Sequence, residues 1–299
     1  MKAPGEIVVE DGVVTTSAEP TANVPWWSFT KTVIAAAALV LVRNGRLTLD
    51  TRLPGRPCTL RQLLQHRAGL TDYGRLATYH EAVARREDAW STSELLERAD
   101  AETLVYPPGK GWLYSNIGYL FVRRLIEETM GEELGSAIAR LVLRPLAIER
   151  TRLARRREDL ADVLMGQTRD YDPRWVYHGL LVGPLQEAAL LLDRLMTGHL
   201  LPADLLAAML RPHPVGGPVA GRPWISPGYG LGLMIGGVTS GSMIAGHTGG
   251  GPGTVVAVYH LLSSKPARTA AAFSPSDDQG LVEDRCVLSL EGTPAKKDG

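Results

Sequence analysis

SFTKTVIAAAALVLV, residues 28–42, joins a Ser-x-x-Lys motif to an unbroken apolar run. The apolar run from Val33 to Val42 has no charged break, which predicts a helix buried within protein. A bilayer span needs about 20 apolar residues, so this run is too short to cross a membrane. Ser28 and Lys31 stand just before it, and a helix that begins at Ser28 holds their hydroxyl and amine on one face.

The Ser28–Lys31 pair suits nucleophilic catalysis. The positive end of a helix dipole favours an ionised serine oxygen, and a lysine that loses its proton easily can act as the base. An N-cap serine and a surface lysine give the same pattern, and Ser-x-x-Lys is expected by chance about once in such a chain. Two later elements favour catalysis: Tyr114-Ser115-Asn116 and His247-Thr248-Gly249-Gly250.

Together these elements resemble the signature of the serine β-lactamase and penicillin-binding protein superfamily, in its class C β-lactamase-like branch of esterases, D-amino-acid peptidases and amide hydrolases. The likeness extends over roughly residues 25–260, including TLRQLLQHRAGL at 59–70 and PPGKGWLYSNIGYLFVRRLIEETMG at 107–131. The resemblance implies that Ser28 is the nucleophile and that Lys31 and Tyr114 move its proton. It also implies an oxyanion hole formed by the backbone amides of Ser28 and Gly250.

The remaining motif residues are candidates for binding the substrate. Asn116 can donate and accept hydrogen bonds, which suits it to orient Lys31 and a substrate amide or carbonyl. Thr248 and Gly249 end a predicted strand in a glycine-rich stretch, where a substrate backbone can approach as an added strand does. His247 stands where many β-lactamases have lysine, and a histidine is mostly neutral near pH 7. Tight recognition of a β-lactam carboxylate is therefore not expected.

Three aromatic segments are candidates for shaping the pocket, and each can equally be core packing. They are Trp26-Trp27, the segment from Tyr171 to His178, and the proline-rich stretch 211–227 with Trp224. Which of Lys31 and Tyr114 is the acylation base stays open.

The bulk composition limits the classes of function. The chain has 299 residues, of which 44% are hydrophobic and 21% charged. Its 32 basic residues balance 32 acidic ones, which argues against nucleic acid or an anionic membrane as the main partner. The first residues show no apolar core of signal-peptide length, so we expect a cytoplasmic protein.

Cys58 and Cys286 define no disulfide framework, and whether they pair is left open. The histidines lack a metal spacing, so neither a metal nor an organic cofactor is expected.

The order of predicted elements is strands, then helices, then strands. A hairpin of residues 7–10 and 13–16 is predicted around Asp11-Gly12. Helices are predicted from 59 to 210, including one capped by Thr59 and one over 117–130 that ends at Gly131. A loop is predicted at 211–227, strands at 231–235, 242–248, 254–261 and 268–273, and a helix at 279–290. This order predicts an α/β plus all-α fold with an inserted block of helices, and the resemblance implies that helices flank an antiparallel sheet. Residues 1–52 and 215–299 would form one discontinuous α/β domain and residues 53–214 an inserted helical domain. The resemblance implies the same β-lactamase-like layout, with the site in the cleft between the two.

The sequence thus predicts a serine hydrolase that acts through an acyl-enzyme on a small-molecule ester, lactone, amide or peptide. A carboxylesterase-like activity ranks first, a D-amino-acid peptidase or amidase second, and a β-lactamase third. The alternative from another class is a non-hydrolytic, penicillin-binding-like ligand-binding protein. A phosphate cradle at Gly249-Gly250-Gly251 is not expected, because no Gly-Lys-Ser/Thr follows. The oligomeric state is left open.

Overall fold

The computed structural model describes residues 5–15, 22–166 and 170–292. The strands are β1 (Glu6–Glu10), β2 (Val13–Val14), β3 (Asn23–Pro25), β4 (Arg152–Ala154), β5 (Leu180–Pro184), β6 (His213–Pro214), β7 (Trp224–Tyr229), β8 (Met234–Val238), β9 (Met243–Gly251), β10 (Thr254–Leu261) and β11 (Arg268–Ser274). The α-helices are α1 (Thr30–Arg43), α2 (Leu60–Leu64), α3 (Ala77–Ala84), α4 (Thr92–Arg98), α5 (Asn116–Met130), α6 (Leu134–Ile138), α7 (Leu185–Met196), α8 (Ala203–Met209) and α9 (Gln279–Glu291).

The large sheet joins the two ends of the chain. Its strand order is β2-β1-β11-β10-β9-β8-β7-β6, and the pairs are antiparallel. β1 and β2 form the predicted hairpin, although the predicted extension to Thr16 lies outside the described residues. Helices flank this sheet, so the predicted fold class is confirmed. The division into an α/β and a helical domain stays a prediction.

Helices cover both faces of the large sheet, because successive strand residues point to opposite sides. In β1, Ile7 and Val9 belong to the core that contains α1 and α7, whereas Val8 packs with α9. Helix α1 is buried from Thr30 to Leu41, as its apolar run predicts. Within the described ranges, no helix has the length and apolarity needed to cross a membrane.

Helix ends follow the local sequence signals. The predicted cap at Thr59 is a full capping box, in which the Thr59 hydroxyl accepts from the Gln62 amide and the Gln62 side chain accepts from the Thr59 amide. Helix α5 stops at Gly131, whose φ of 67° is the left-handed conformation that glycine favours. Both ends therefore lie where the sequence predicts them.

Two parts of the strand prediction are wrong. The stretch 211–227, predicted as a loop, contains β6 and most of β7. Prolines are compatible with strands at a sheet edge, where a missing N–H removes no ladder bond, and β6 is the edge strand. The small sheet β3-β5-β4 was not predicted, because its strands come from distant parts of the chain and two are three residues long.

Cys58 and Cys286 are both buried and neither forms a disulfide. The question that the sequence left open is therefore answered: the two thiols do not pair.

Candidate active site

Ser28 lies in a short turn that is held against the large sheet. The residues from Trp27 to Phe29 form a 3₁₀ turn and α1 begins at Thr30, two residues later than predicted. Trp27 has a φ of 40°, a strained value for a large side chain that typically costs about 1–3 kcal/mol. Its indole N–H donates to Thr254 Oγ1 at 2.9 Å. The turn that carries Ser28 is therefore pinned to β10.

Three distant stretches of chain meet at the Ser28 hydroxyl. Lys31 Nζ lies 3.1 Å from Ser28 Oγ, and the Tyr114 hydroxyl donates to the same oxygen at 2.9 Å. Lys31 reaches Ser28 from the first turn of α1, whereas Tyr114 precedes Ser115, the N-cap of α5. The amine and the phenol are thus each within proton-transfer distance of the predicted nucleophile, the Ser28 hydroxyl.

Burial shifts the pKa values of the two candidate bases, Lys31 and Tyr114, in opposite directions. Burial of the amine lowers the pKa of Lys31 to about 7, against the opposing attraction of Asp72. Burial raises the pKa of the Tyr114 phenol, although the hydrogen bond to Ser28 partly opposes this. Near pH 7 a large fraction of Lys31 is consequently neutral, whereas Tyr114 keeps its proton.

Asn116 is anchored by an acidic residue. Its backbone N–H and its Nδ2 donate to Asp72 Oδ1 at 2.8 and 3.0 Å. Burial raises the pKa of the Asp72 carboxyl, and the hydrogen bonds from Asn116 act in the opposite direction. Asn116 lines the cleft beside Ser28, with its orientation set by Asp72.

Strand β9 has an open edge next to Ser28. β8 pairs with β9 only as far as Gly246, whereas β10 continues beside β9 to Gly251. Within the described residues, no strand pairs with positions 247–251 on the β8 side. The two-residue loop Pro252-Gly253 makes Gly251 and Thr254 a hydrogen-bonded pair, so Gly250 belongs to the next, non-hydrogen-bonded pair. The N–H and C=O of Gly250 therefore point to the open edge.

Gly249 faces the protein rather than the cleft. A Cβ on Gly249 would lie 2.7 Å from the carbonyl oxygen of Trp26, and one on Gly251 would overlap the Trp27 ring. These glycines let β9 approach the turn that carries Ser28. For Gly249 this differs from the expectation that a substrate backbone approaches it, because the backbone packed against Gly249 is that of the turn carrying Ser28.

Thr248 also differs from the expectation of a substrate-binding side chain. Its hydroxyl lies 2.6 Å from the Tyr259 hydroxyl and donates to Glu283, on the face of the sheet that α9 covers. Glu283 is fully buried and also pairs with Arg222. The side chain of Thr248 thus belongs to a buried polar network behind β9.

His247 is neutral and has both ring nitrogens engaged. Nδ1 lies 2.7 Å from the Thr248 carbonyl oxygen and therefore carries the proton, which leaves Nε2 to accept from the Tyr229 hydroxyl at 2.9 Å. Burial lowers the pKa of His247 to about 3. It consequently offers no positive charge to a substrate carboxylate.

Ser28 opens into a cleft of about 670 Å³. Its described lining includes Asn116, His178 and Gly250 beside Ser28, and the aromatic residues Trp27, Tyr73, Tyr79 and Tyr171. Of the three aromatic segments considered from the sequence, two therefore contribute to the cleft. Trp224 does not, because it packs with Tyr259 beneath α9.

Two residues of the site had no role in the sequence analysis. Asp72 holds Asn116, and His178 Nε2 lies 3.1 Å from Lys31 Nζ. The only signal for Asp72 was an acidic residue just after the segment that ends at Leu70. His178 ended a segment considered for the pocket, but nothing nearby in the sequence linked it to Lys31.

Comparison with known proteins identifies the family of this chain. A family model described as Beta-lactamase matches residues 5–260. The chain belongs to the Beta-lactamase family. The three motifs identified from the sequence, at Ser28, Tyr114 and His247, lie within the residues that match this family.

Curated relatives match this family member over part of their length. Penicillin-binding protein 4* of Bacillus subtilis is 27% identical over 145 residues, 44% of this chain and 30% of the relative. Esterase EstB of Burkholderia gladioli is 32% identical over 144 residues, 40% of this chain and 36% of the relative. The matches thus span about a third of each relative.

A solved structure shares the fold over almost the whole chain. The D-amino acid amidase of Ochrobactrum anthropi SV3, solved with D-phenylalanine, superposes with a TM-score of 0.79 at 18% identity. The superposition covers 97% of this chain and 94% of the amidase. At this identity the likeness shows the β-lactamase-like fold alone.

Proposed function

We propose that the protein is a serine hydrolase that cleaves small esters or amides through an acyl-enzyme on Ser28. The observation that carries this proposal is the pair of contacts at Ser28 Oγ, at 3.1 Å from Lys31 Nζ and 2.9 Å from the Tyr114 hydroxyl. Membership of the Beta-lactamase family supports it, as does the similarity to an esterase.

In the first step, Ser28 Oγ attacks the substrate carbonyl carbon while neutral Lys31 accepts the serine proton. The carbonyl oxygen becomes an oxyanion, which receives hydrogen bonds from the backbone N–H groups of Ser28 and Gly250. The bond to the leaving group then breaks, and the leaving group takes up a proton that passes from Lys31 through the Tyr114 hydroxyl. Tyr114 ends this step unchanged.

In the second step, water attacks the ester formed on Ser28. The water gives one proton to Lys31, and the acid leaves as Ser28 Oγ regains a proton from the same amine. Each proton removed in one half of the cycle is returned in the same half, so no metal or organic cofactor enters the scheme.

We assign the role of base to Lys31. A pKa of about 7 leaves the Lys31 amine partly neutral near pH 7, whereas the raised pKa of Tyr114 keeps its phenol protonated at this pH. The Tyr114 hydroxyl also already donates to Ser28 Oγ, which is the contact of a proton donor.

The lining of the cleft favours an uncharged, apolar acyl group. Trp27, Tyr73 and Tyr171 line it, and neutral His247 offers no positive charge to a carboxylate. The charged residues of its described lining, Arg86 and Asp277, have opposite signs. A carboxylesterase-like activity therefore ranks first, and the β-lactam carboxylate counts against a β-lactamase. The open edge of β9 favours a D-amino-acid amide or peptide as the second candidate, because an extended backbone can pair with Gly250 there. A cytoplasmic location and a cleft between two domains also stay predictions.

Turnover of p-nitrophenyl butyrate tests the proposal against a non-hydrolytic binding protein. We expect many turnovers per molecule of wild-type protein and none with Ser28→Ala. A single stoichiometric release of p-nitrophenol would favour the binding protein. Equal rates for wild type and Ser28→Ala would contradict the assignment of Ser28.

A further inference from the structure

His178 is a buried histidine that hydrogen-bonds to Lys31, the proposed base. It is 2% exposed, lies just before β5 and lines the cleft. Its Nε2 is 3.1 Å from Lys31 Nζ, and its Nδ1 has no hydrogen-bond partner within the described part of the chain. A buried polar atom without a partner typically costs about 1–3 kcal/mol. An apolar side chain would fill this position without that cost, so packing does not account for the histidine.

We propose that His178 is a positioning residue, which accepts a hydrogen bond from Lys31 and so directs the lysine lone pair at Ser28. This inference rests on the proposed function, since it concerns the base of that reaction. His178 acts through Lys31 and needs no contact with the substrate.

The hydrogen-bond inventory of the amine supports this role. Neutral Lys31 has two N–H donors and one lone pair. If one N–H is donated to His178 Nε2, rotation about the Cε–Nζ bond is restricted and the lone pair can face the Ser28 proton. The same His178 tautomer, with its proton on Nδ1, still accepts a hydrogen bond after Lys31 becomes an ammonium. His178 therefore suits both states of the base without moving a proton of its own.

Within the described residues, Lys31 Nζ hydrogen-bonds to Ser28 Oγ and His178 Nε2, whereas Asn116, which the sequence offered for orienting Lys31, donates to Asp72. The titratable and charged neighbours of the Lys31–His178 pair are Asp72, His66, Tyr114, Tyr119, Arg123 and His247. His66 Nδ1 accepts from the Ser115 amide, so its Nε2 carries the proton and cannot accept. His247 uses both ring nitrogens elsewhere, and Asp72 is held by Asn116.

The experiment compares pH profiles of His178→Leu and wild type on p-nitrophenyl butyrate. We expect kcat to fall about 10-fold to 100-fold, because Lys31 loses its orientation toward Ser28. KM should be nearly unchanged, because the substrate-binding cleft stays intact. We also expect the acid limb of the profile to move to lower pH, since an acceptor that stabilises the ammonium is removed. His260→Leu is the matched control: His260 is another buried histidine, which lies on β10, hydrogen-bonds to Thr269 on β11 and is absent from the cleft lining. It should keep the wild-type kcat and acid limb.

A second pair of variants decides the matter if the leucine variant does not fold. The amide of glutamine reaches about as far as Nε2 of histidine, whereas that of asparagine matches Nδ1. His178→Gln should therefore retain more of the wild-type kcat than His178→Asn. Equal or reversed kcat values, or a His178→Leu enzyme with wild-type kcat and acid limb, would overturn the proposal. Failure of the proposed function would be visible separately, as absence of turnover in the wild type.

Discussion

Gly249 packs against Ser28 so closely that a Cβ on the glycine would lie 2.6 Å from the serine backbone nitrogen. Real Cβ atoms do not approach other atoms this closely, so either β9 or the nucleophile turn must move to accept a side chain. The position of Ser28 and the position of the Gly250 amide are thereby linked. Gly249 therefore sets the distance between the backbone amides of Ser28 and Gly250, the two proposed donors to the oxyanion.

Gly249→Ala should accordingly lose both stability and activity. Overpacking of this kind typically costs about 1–3 kcal/mol, and a displaced oxyanion donor about 10²–10³ in rate. Thermal melting and kcat measure the two effects. Gly217→Ala is the control, because a Cβ there meets nothing within 4 Å and the change should be near neutral. A Gly249→Ala enzyme with wild-type kcat would show that this packing does not set the site.

The lowered pKa of Lys31 predicts how activity depends on pH. The neutral amine is the active form, so kcat/KM should fall as pH drops below about 7, where Lys31 gains its proton. Lys31→Met should lower kcat by about 10²–10⁴, the usual contribution of a general base. A profile that is flat from pH 5 to 8 would exclude Lys31 as the base.

Lys31 also affects stability, and the sign follows from linkage. Its pKa is lowered from 10.5 in the unfolded chain to about 7 in the folded protein, so between these values the unfolded state binds more protons. Stability then rises with pH across this window, and the penalty of burying the charge, a few kcal/mol, is fully present below pH 7. Lys31→Met should therefore melt at a higher temperature than wild type at pH 6, by a margin that shrinks toward pH 10. An unchanged margin would contradict the lowered pKa.

Tyr114→Phe separates the proton donor from the base. Loss of the hydroxyl that donates to Ser28 Oγ should lower kcat by about 10²–10⁴. The acid limb near pH 7 should remain, because Lys31 determines it. If the limb disappears together with the phenol, the assignment of the two roles is reversed.

The buried network behind β9 predicts a structural role for Thr248. In Thr248→Val, Glu283 loses a donor in a site without solvent, which typically costs about 1–3 kcal/mol. We expect a lower melting temperature with KM changed little. Thr78→Val, at an exposed position on α3, is the control and should melt like wild type. A large rise in KM without loss of stability would restore the substrate-binding role that the motif predicted.

Local sequence signals predicted those features that depend on neighbouring residues. Residues close to one another in the sequence determine three such features: the proximity of Ser28 and Lys31, the Asp11-Gly12 hairpin and the end of α5 at Gly131. Tyr114 could be named because its motif is distinctive, although its distance from Ser28 could not be read from spacing.

Features that depend on tertiary contacts were not predictable in this way. Asp72 and His178 acquire their roles from partners far along the chain, and neither lies in a distinctive motif. The sheet faces toward which the Thr248 side chain and the Gly249 Cα point follow from the register of β9 with β10, which determines which residues face α9. Strand β6 was missed because it contains Pro214, a residue typical of loops, and only the place of β6 at the sheet edge makes this proline acceptable.

Intact-mass spectrometry of the protein during reaction with an activated ester detects the proposed acyl-enzyme itself. We expect a mass increase equal to one acyl group, which peptide mapping locates on Ser28 and which Ser28→Ala does not show. Lys31→Met should acquire the same adduct far more slowly. Turnover by wild-type protein without any acyl adduct, or an adduct on another residue that persists in Ser28→Ala, would contradict the proposed acyl-enzyme on Ser28.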